Sequence, residues 1–231
     1  MIDIHSHILP GIDDGSKSVE MSLEMLRKSA GQGVHTMVAT PHFYPTRNNP
    51  EKFYADRQRA YEQLAGSLTA DMPKVLLGAE VAYFDGISRS HALEDMRMGE
   101  SRLLLVEMPM GPWTDRMMQE LQDIPSNLGL QPVLAHIDRY LKGNQLPRYL
   151  DTLLSLDVLL QVSAEAFLRF MDRGKMLKLV KNGLIDFLGS DAHNLDTRAP
   201  NMEVAAQNIT KKLGEETLSD LTARSAELLG L

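Results

Sequence analysis

Two histidines one residue apart open the chain, in Met1-Ile2-Asp3-Ile4-His5-Ser6-His7, and Asp13-Asp14-Gly15 follows almost at once. A short apolar lead into His-x-His reads as a β-strand that ends in two metal ligands. Side chains at i and i+2 of a strand point to the same side, so both imidazoles can reach one ion. A metal-dependent enzyme is the first expectation. It carries a requirement: further His, Asp and Glu should stand at the ends of later strands.

Short apolar runs that can act as such strands recur along the chain: 1–5, 35–40, 74–80, 103–107, 132–136, 158–162 and 185–189. They are near-continuous in apolar residues, as parallel strands covered on both faces should be. Helical patterns fill the gaps. Val19, Leu23, Leu26 and Ala30 fall on one face, with Ser16 or Ser18 as the N-cap. Phe53, Tyr61, Leu64 and Leu68 follow Pro50, and Met117, Met118, Leu121 and Ile124 form the next stripe. Leu146, Tyr149, Leu150 and Leu153 come next, then Met176, Leu179 and Val180. The tail from Met202 to Leu229 reads as helix broken near Gly214, and 81–98 holds one short helix at most. Alternating strands and helices predict an α/β fold with a parallel sheet, closed or nearly closed as a barrel. An open doubly wound sheet is the competitor, but Gly-x-Gly-x-x-Gly and a Walker loop are both absent. No domain boundary is evident, so residues 1–231 are expected to form a single domain.

The composition narrows the chemistry. A hydrophobic content of 43% in 231 residues is enough to bury a full core. The net charge of −7 argues against a general nucleic-acid binder. It leaves room for an anionic substrate, because bound metals reverse the local field. With no cysteine, disulfides, thiolate metal sites and cysteine nucleophiles are all excluded. A metal must then be held by imidazole and carboxylate, which suit Mn, Fe or Zn, with oxygen-rich sites leaning to Mn or Mg. No apolar run is long enough to span a bilayer and no signal-peptide pattern opens the chain, so a cytoplasmic protein without membrane insertion is expected.

The requirement on the strand ends is met. The first strand ends at His5 and His7, with Asp14 in the loop beyond, and the second runs into Thr40-Pro41-His42. Glu80, Glu107 and His136 close the third, fourth and fifth, and the seventh leads into Ser190-Asp191-Ala192-His193. In βα barrels that end of the strands carries the active site. His35 and His91 fall elsewhere and are read as ordinary structural or surface histidines.

These motifs resemble those of the polymerase-and-histidinol-phosphatase (PHP) family. The stretches from His5 to Gly15, from Ala39 to Tyr44, from Gly78 to Glu80 and from Ala135 to Tyr140 resemble its bacterial tyrosine-phosphatase branch, the CpsB/YwqE type of capsular and exopolysaccharide synthesis. The resemblance runs from His5 to about Pro200 and implies a distorted (β/α)7 TIM-like barrel. It also implies a trinuclear site with about three ions per chain, usually Mn2+, with Fe, Zn and Mg as alternatives. His5, His7, Glu80 and Asp191 would hold one ion. Glu80 would bridge to a second, completed by Glu107 and His136. Asp14, His42 and His193 would hold the third. The implied reaction is attack of a metal-activated hydroxide on a phosphotyrosine monoester, in the tail of a bacterial tyrosine kinase that controls polysaccharide export. Arg139, three residues after His136, and Arg198, five after His193, match phosphate geometry as substrate clamps. Arg47 reads as a surface residue. Phe43, Tyr44, Tyr83, Phe84 and Trp113 lie in loops near the mouth, where they would either flank an aromatic leaving group or pack locally. Two alternatives remain: a PHP phosphoesterase for a small molecule such as histidinol phosphate, and a non-catalytic phosphotyrosine-docking module.

Overall fold

β1 (Ile2–Ser6) pairs in parallel with β2 (Thr36–Ala39), which pairs with β4 (Lys74–Leu77). A second sheet runs in the order β3 (His42–Phe43), β5 (Glu80–Ala82), β6 (Leu103–Glu107), β7 (Gln131–Leu134), β8 (Leu159–Ser163) and β9 (Phe187–Gly189), again all parallel. This computed structural model describes residues 1–141, 145–156 and 158–231, without the side chains of 145–148 and 150. The two sheets are joined at both edges. Gly78 N–H donates to Ala39 O (2.8 Å) and Glu80 N–H to Pro41 O (3.1 Å), carrying the β2–β4 ladder on into β3–β5. At the other edge Asp191 N–H donates to His5 O and His7 N–H to Ala192 O, both at 2.8 Å. The strands thus curl into the expected (β/α)7 barrel arrangement.

The register decides which residues face the barrel interior. Ile2, Ile4, Val38, Leu103, Leu105, Val133, Leu159 and Phe187 fill the inner cluster, while Met37, Ala39, Leu104, Val106, Leu134 and Leu160 pack outward against helices. Alternation along β1 would place His5 and His7 on the face opposite Ile2 and Ile4. Between Asp3↔Met37 and Ser6↔Ala39, however, β1 carries one residue more than β2. This bulge turns both histidines inward, above the apolar floor. The Asp3 carboxylate sits at the bulge, where its Oδ1 accepts from His5 N–H (3.2 Å) and Ser190 N–H (2.9 Å).

The helices follow the apolar patterns. They are α1 (Val19–Gly31), α2 (Pro50–Ala65), α3 (Asp115–Leu128), α4 (Ile137–Tyr140), α5 (Gln145–Ser155), α6 (Phe170–Lys181), α7 (Met202–Leu213) and α8 (Glu215–Leu229). Ser18 caps α1 through Met21 N–H, and Asn49 caps α2 ahead of Pro50. Tyr149 and Leu153 of α5 are buried, whereas the side chains of Leu146 and Leu150 lie outside the described residues. No described helix is long and apolar enough to cross a membrane.

Four expectations are corrected. The run 74–80 is two strands, broken at Gly78-Ala79, where the backbone turns to meet Ala39 and Pro41 as their strand ends and the two-residue β3 begins. His136 stands two residues beyond β7, in a left-handed conformation rather than in the strand. The 81–98 stretch forms two 3-10 turns, Ile87–Arg89 and His91–Met96, and Leu68 lies past the end of α2.

Candidate metal centre

The C-terminal ends of the strands bring all nine expected ligand residues to one place. β1 supplies His5 and, just beyond it, His7; the following loop supplies Asp14. β3 begins with His42, β5 begins with Glu80 and β6 ends with Glu107. His136 follows β7, and Asp191 and His193 follow β9. Three groups have donor atoms all within 4.8 Å of one another: His7, Asp14, His42 and His193; His5, His7 and Glu80; and His42, Glu80 and Glu107. His136 Nε2 lies 3.0 Å from Glu80 Oε1 and 3.3 Å from Glu107 Oε1. Asp191 Oδ1 lies 3.5 Å from Nε2 of both His5 and His7.

Hydrogen bonds at Nδ1 aim three of the rings. His7 Nδ1 is 2.8 Å from Asp13 Oδ2, His5 Nδ1 is 3.2 Å from Gln161 Oε1, and His193 Nδ1 is 2.9 Å from the Asp191 carbonyl. Each partner oxygen is an acceptor, so Nδ1 carries the proton and Nε2 presents a lone pair to the cluster. Glu80 Oε2 sits 2.9 Å from His42 Nδ1, 3.2 Å from His5 Nε2 and 3.4 Å from His7 Nε2. Yet neither Glu80 Oε2 nor His42 Nδ1 makes an aligned hydrogen bond, and His193 Nε2 is also unpartnered. Buried polar atoms are normally paired. Lone pairs crowded into shared space without hydrogen bonds fit a divalent cation, which would satisfy them together.

The electrostatics match. Burial opposes ionisation of Glu80, but the imidazoles of His5, His136 and His42 crowded around it hold its carboxyl well below the usual range. Asp191 is held well below its usual range against burial, chiefly by His5 and His7. Burial would lower His136, yet Glu107 and Glu80 push it up to about 9. Burial, with the His7 ring beside it, takes His193 down to about 4. The centre therefore keeps its carboxylates ionised and draws positive charge. His136 (φ 35°) and Asp191 (φ 52°) are the two described non-glycine residues at positive φ, and both belong to the cluster.

Arg139 and Arg198 both reach Asp191 Oδ2, Arg198 Nη2 at 2.7 Å. Each is about one third exposed, so part of each guanidinium faces the rim. Tyr44 stacks on His42 with ring centroids 5.1 Å apart, and Arg47 lies over Tyr44. Phe43 and Trp113 are buried in the outer core, where Tyr83 and Phe84 also pack. His35 bonds to Thr36, and His91 is exposed beside Glu94.

Asp13 and Gln161 escaped the sequence reading. Asp13 Oδ2 also accepts from His42 N–H (3.0 Å), and Gln161 Oε1 from His136 N–H (2.6 Å). The available signals were an acid beside Asp14 and one amide inside Leu159-Leu160-Gln161-Val162. Two glycines complete the packing. A Cβ on Gly15 would lie 2.2 Å from His7 O, and one on Gly189 would lie 2.6 Å from His5 Cβ.

The family model for capsular polysaccharide synthesis, CpsB/CapC, matches residues 1–229. Tyrosine-protein phosphatase CpsB of Streptococcus pneumoniae is 32% identical, over 96% of this chain and 94% of its own length. Tyrosine-protein phosphatase YwqE of Bacillus subtilis (strain 168) is 31% identical, over 99% and 91%. A chain from the crystal structures of YwqE from Bacillus subtilis and CpsB from Streptococcus pneumoniae, described as unique metal-dependent tyrosine phosphatases, matches at a TM-score of 0.85 and 28% identity, covering 100% of this chain and 94% of that one.

Proposed function

The chain belongs to the CpsB/CapC family of capsular polysaccharide synthesis, and on that premise we propose that it is a metal-dependent phosphatase of phosphotyrosine in proteins. The observation that carries this reading is the cluster itself: imidazoles fixed through Nδ1, aimed with Glu80 Oε2 into one shared space. We assign His5, His7, Glu80 and Asp191 to one ion and Glu80, Glu107 and His136 to a second. Asp14, His42 and His193 take the third. The mixed imidazole and carboxylate set suits Mn2+, with Fe, Zn and Mg as competitors. Ions held there would supply Lewis acidity, lowering the pKa of water and offsetting charge that develops on phosphoryl oxygens.

The chain's own residues do the rest. Asp13 and Gln161 lock the rings of His7 and His5. Asp191 anchors Arg139 and Arg198 side by side, so that two guanidinium forks can grip a phosphate at the rim. A phenolate leaves more readily than an alkoxide, so the site works without a strong general acid. The natural substrate in this reading is the phosphotyrosine tail of a bacterial tyrosine kinase that controls polysaccharide export. Residues 1–231 act as a single phosphoesterase domain.

The test is metal analysis of the purified chain with turnover measured on phosphotyrosine peptide, phosphoserine peptide and histidinol phosphate. Phosphotyrosine should be preferred, chelation should abolish turnover, and Mn2+ should restore it. Full activity in excess EDTA with no metal retained would overturn the mechanism, and a preference for histidinol phosphate would overturn the substrate.

A further inference from the structure

Of the six large apolar side chains that stand exposed among the described residues, three fall within four positions. They are Leu168 (56% exposed), Phe170 (82%) and Met171 (84%). Clustered exposure of this kind marks a contact surface. The cluster lies in the segment between β8 and the first turn of α6, at the same end of the barrel as the metal centre. Arg173 stacks over the Phe170 ring at 5.4 Å. Further along α6, Lys175, Lys178 and Lys181 are all exposed, whereas Met176 and Val180 face the core. The helix has a single acid, Asp172, which is half-buried and 3.6 Å from Arg169. In a chain of net charge −7, the solvent face of α6 is thus basic throughout, with a protruding apolar tip.

We propose that this face docks on an anionic lipid surface, with Phe170 and Met171 entering the headgroup region and the three lysines meeting acidic lipids. The combination of protruding aromatic and aliphatic side chains beside lysines is that of interfacial anchors. A protein partner is the weaker fit, because lysine is depleted in protein–protein interfaces. Docking in this way would hold the metal centre close to the membrane, so phosphotyrosine on membrane-attached proteins would be presented to it at raised local concentration. The proposal is independent of the phosphatase reading, since binding is measured without turnover.

The experiment is sedimentation of the full chain with phosphatidylcholine vesicles, with and without phosphatidylserine. Binding should require phosphatidylserine and weaken with added salt. The double variant F170S/M171S should lose at least about tenfold in affinity. The triple variant K175E/K178E/K181E should lose at least about a hundredfold. Both variants should keep the wild-type circular dichroism spectrum and Tm, which reports that they fold. Failure of the wild type to bind the mixed vesicles would overturn the proposal, as would variants that bind as tightly as wild type. A wild type that dimerises without lipid, and that F170S/M171S makes monomeric, would overturn it in favour of a self-association surface.

Discussion

Gln161→Leu tests whether a residue that touches no expected ion controls the metal centre. Gln161 is fully buried in β8, and its Oε1 accepts from both His136 N–H and His5 Nδ1. Leucine has similar bulk and removes both bonds. The His136 amide is then left buried without a partner, which costs about 1–3 kcal/mol. That amide belongs to a residue at φ 35°, a conformation that already costs about 1–2 kcal/mol. A loss of about 2 kcal/mol should lower Tm by roughly 4–8 °C in a domain of this size. His5 also loses the bond that fixes its tautomer. Loss of such a partner weakens metal binding by about 10- to 100-fold, or about 1.4–2.7 kcal/mol. The assay is phosphotyrosine-peptide turnover against free Mn2+. The midpoint should rise by that factor, with most of kcat recovered at saturating metal. Gln161→Glu, which keeps the acceptor oxygen, should stay near the wild-type midpoint. A leucine variant with both the wild-type midpoint and the wild-type Tm would refute the positioning role.

Gly189→Ala should cost about 1–3 kcal/mol, because its Cβ would lie 2.6 Å from His5 Cβ and 2.7 Å from Gln161 Nε2; unchanged stability and metal content would show that the contact relaxes freely. Arg139→Lys and Arg198→Lys should each lower kcat/KM for phosphotyrosine peptide by about 10- to 100-fold through loss of a charged fork, while bound metal stays constant; wild-type kinetics in both would remove them from the substrate site. Burial pushes the Asp3 carboxyl up to about 6 despite hydrogen bonds from Ser190 and His5. The fold therefore binds that proton more tightly than the unfolded chain does, and stability falls as pH rises from about 4 through 6. In metal-stripped protein, Asp3→Asn should be more stable than wild type by up to about 3 kcal/mol above pH 6. The difference should vanish below about pH 4; a gap that does not change with pH in thermal melts would contradict this account.

The ligand positions were readable because a parallel strand covered on both faces is a run of apolar residues, and the polar group at or just beyond the end of such a run stands out. His42, Glu80, Glu107 and His136 owe their visibility to that contrast. Asp13 and Gln161 lack it, because an orienting hydrogen bond leaves no period in the sequence. The break at Gly78-Ala79 has a related cause: Gly78 and Glu80 bond to Ala39, the last residue of β2, and to Pro41 beyond it, partners far away in sequence. β1 makes the limit plain. The i, i+2 spacing states that His5 and His7 share a face, but not which face. Strict alternation, counted from Ile2 and Ile4 on the inner side, would send both imidazoles outward. The extra residue between Asp3 and Ser6 reverses that parity, and it is specified by pairing with Met37 and Ala39, more than thirty residues away in sequence. Asp3 bonds to the His5 and Ser190 amides at this irregularity, so a buried acid with no place in the metal cluster helps determine that the opening histidines reach it.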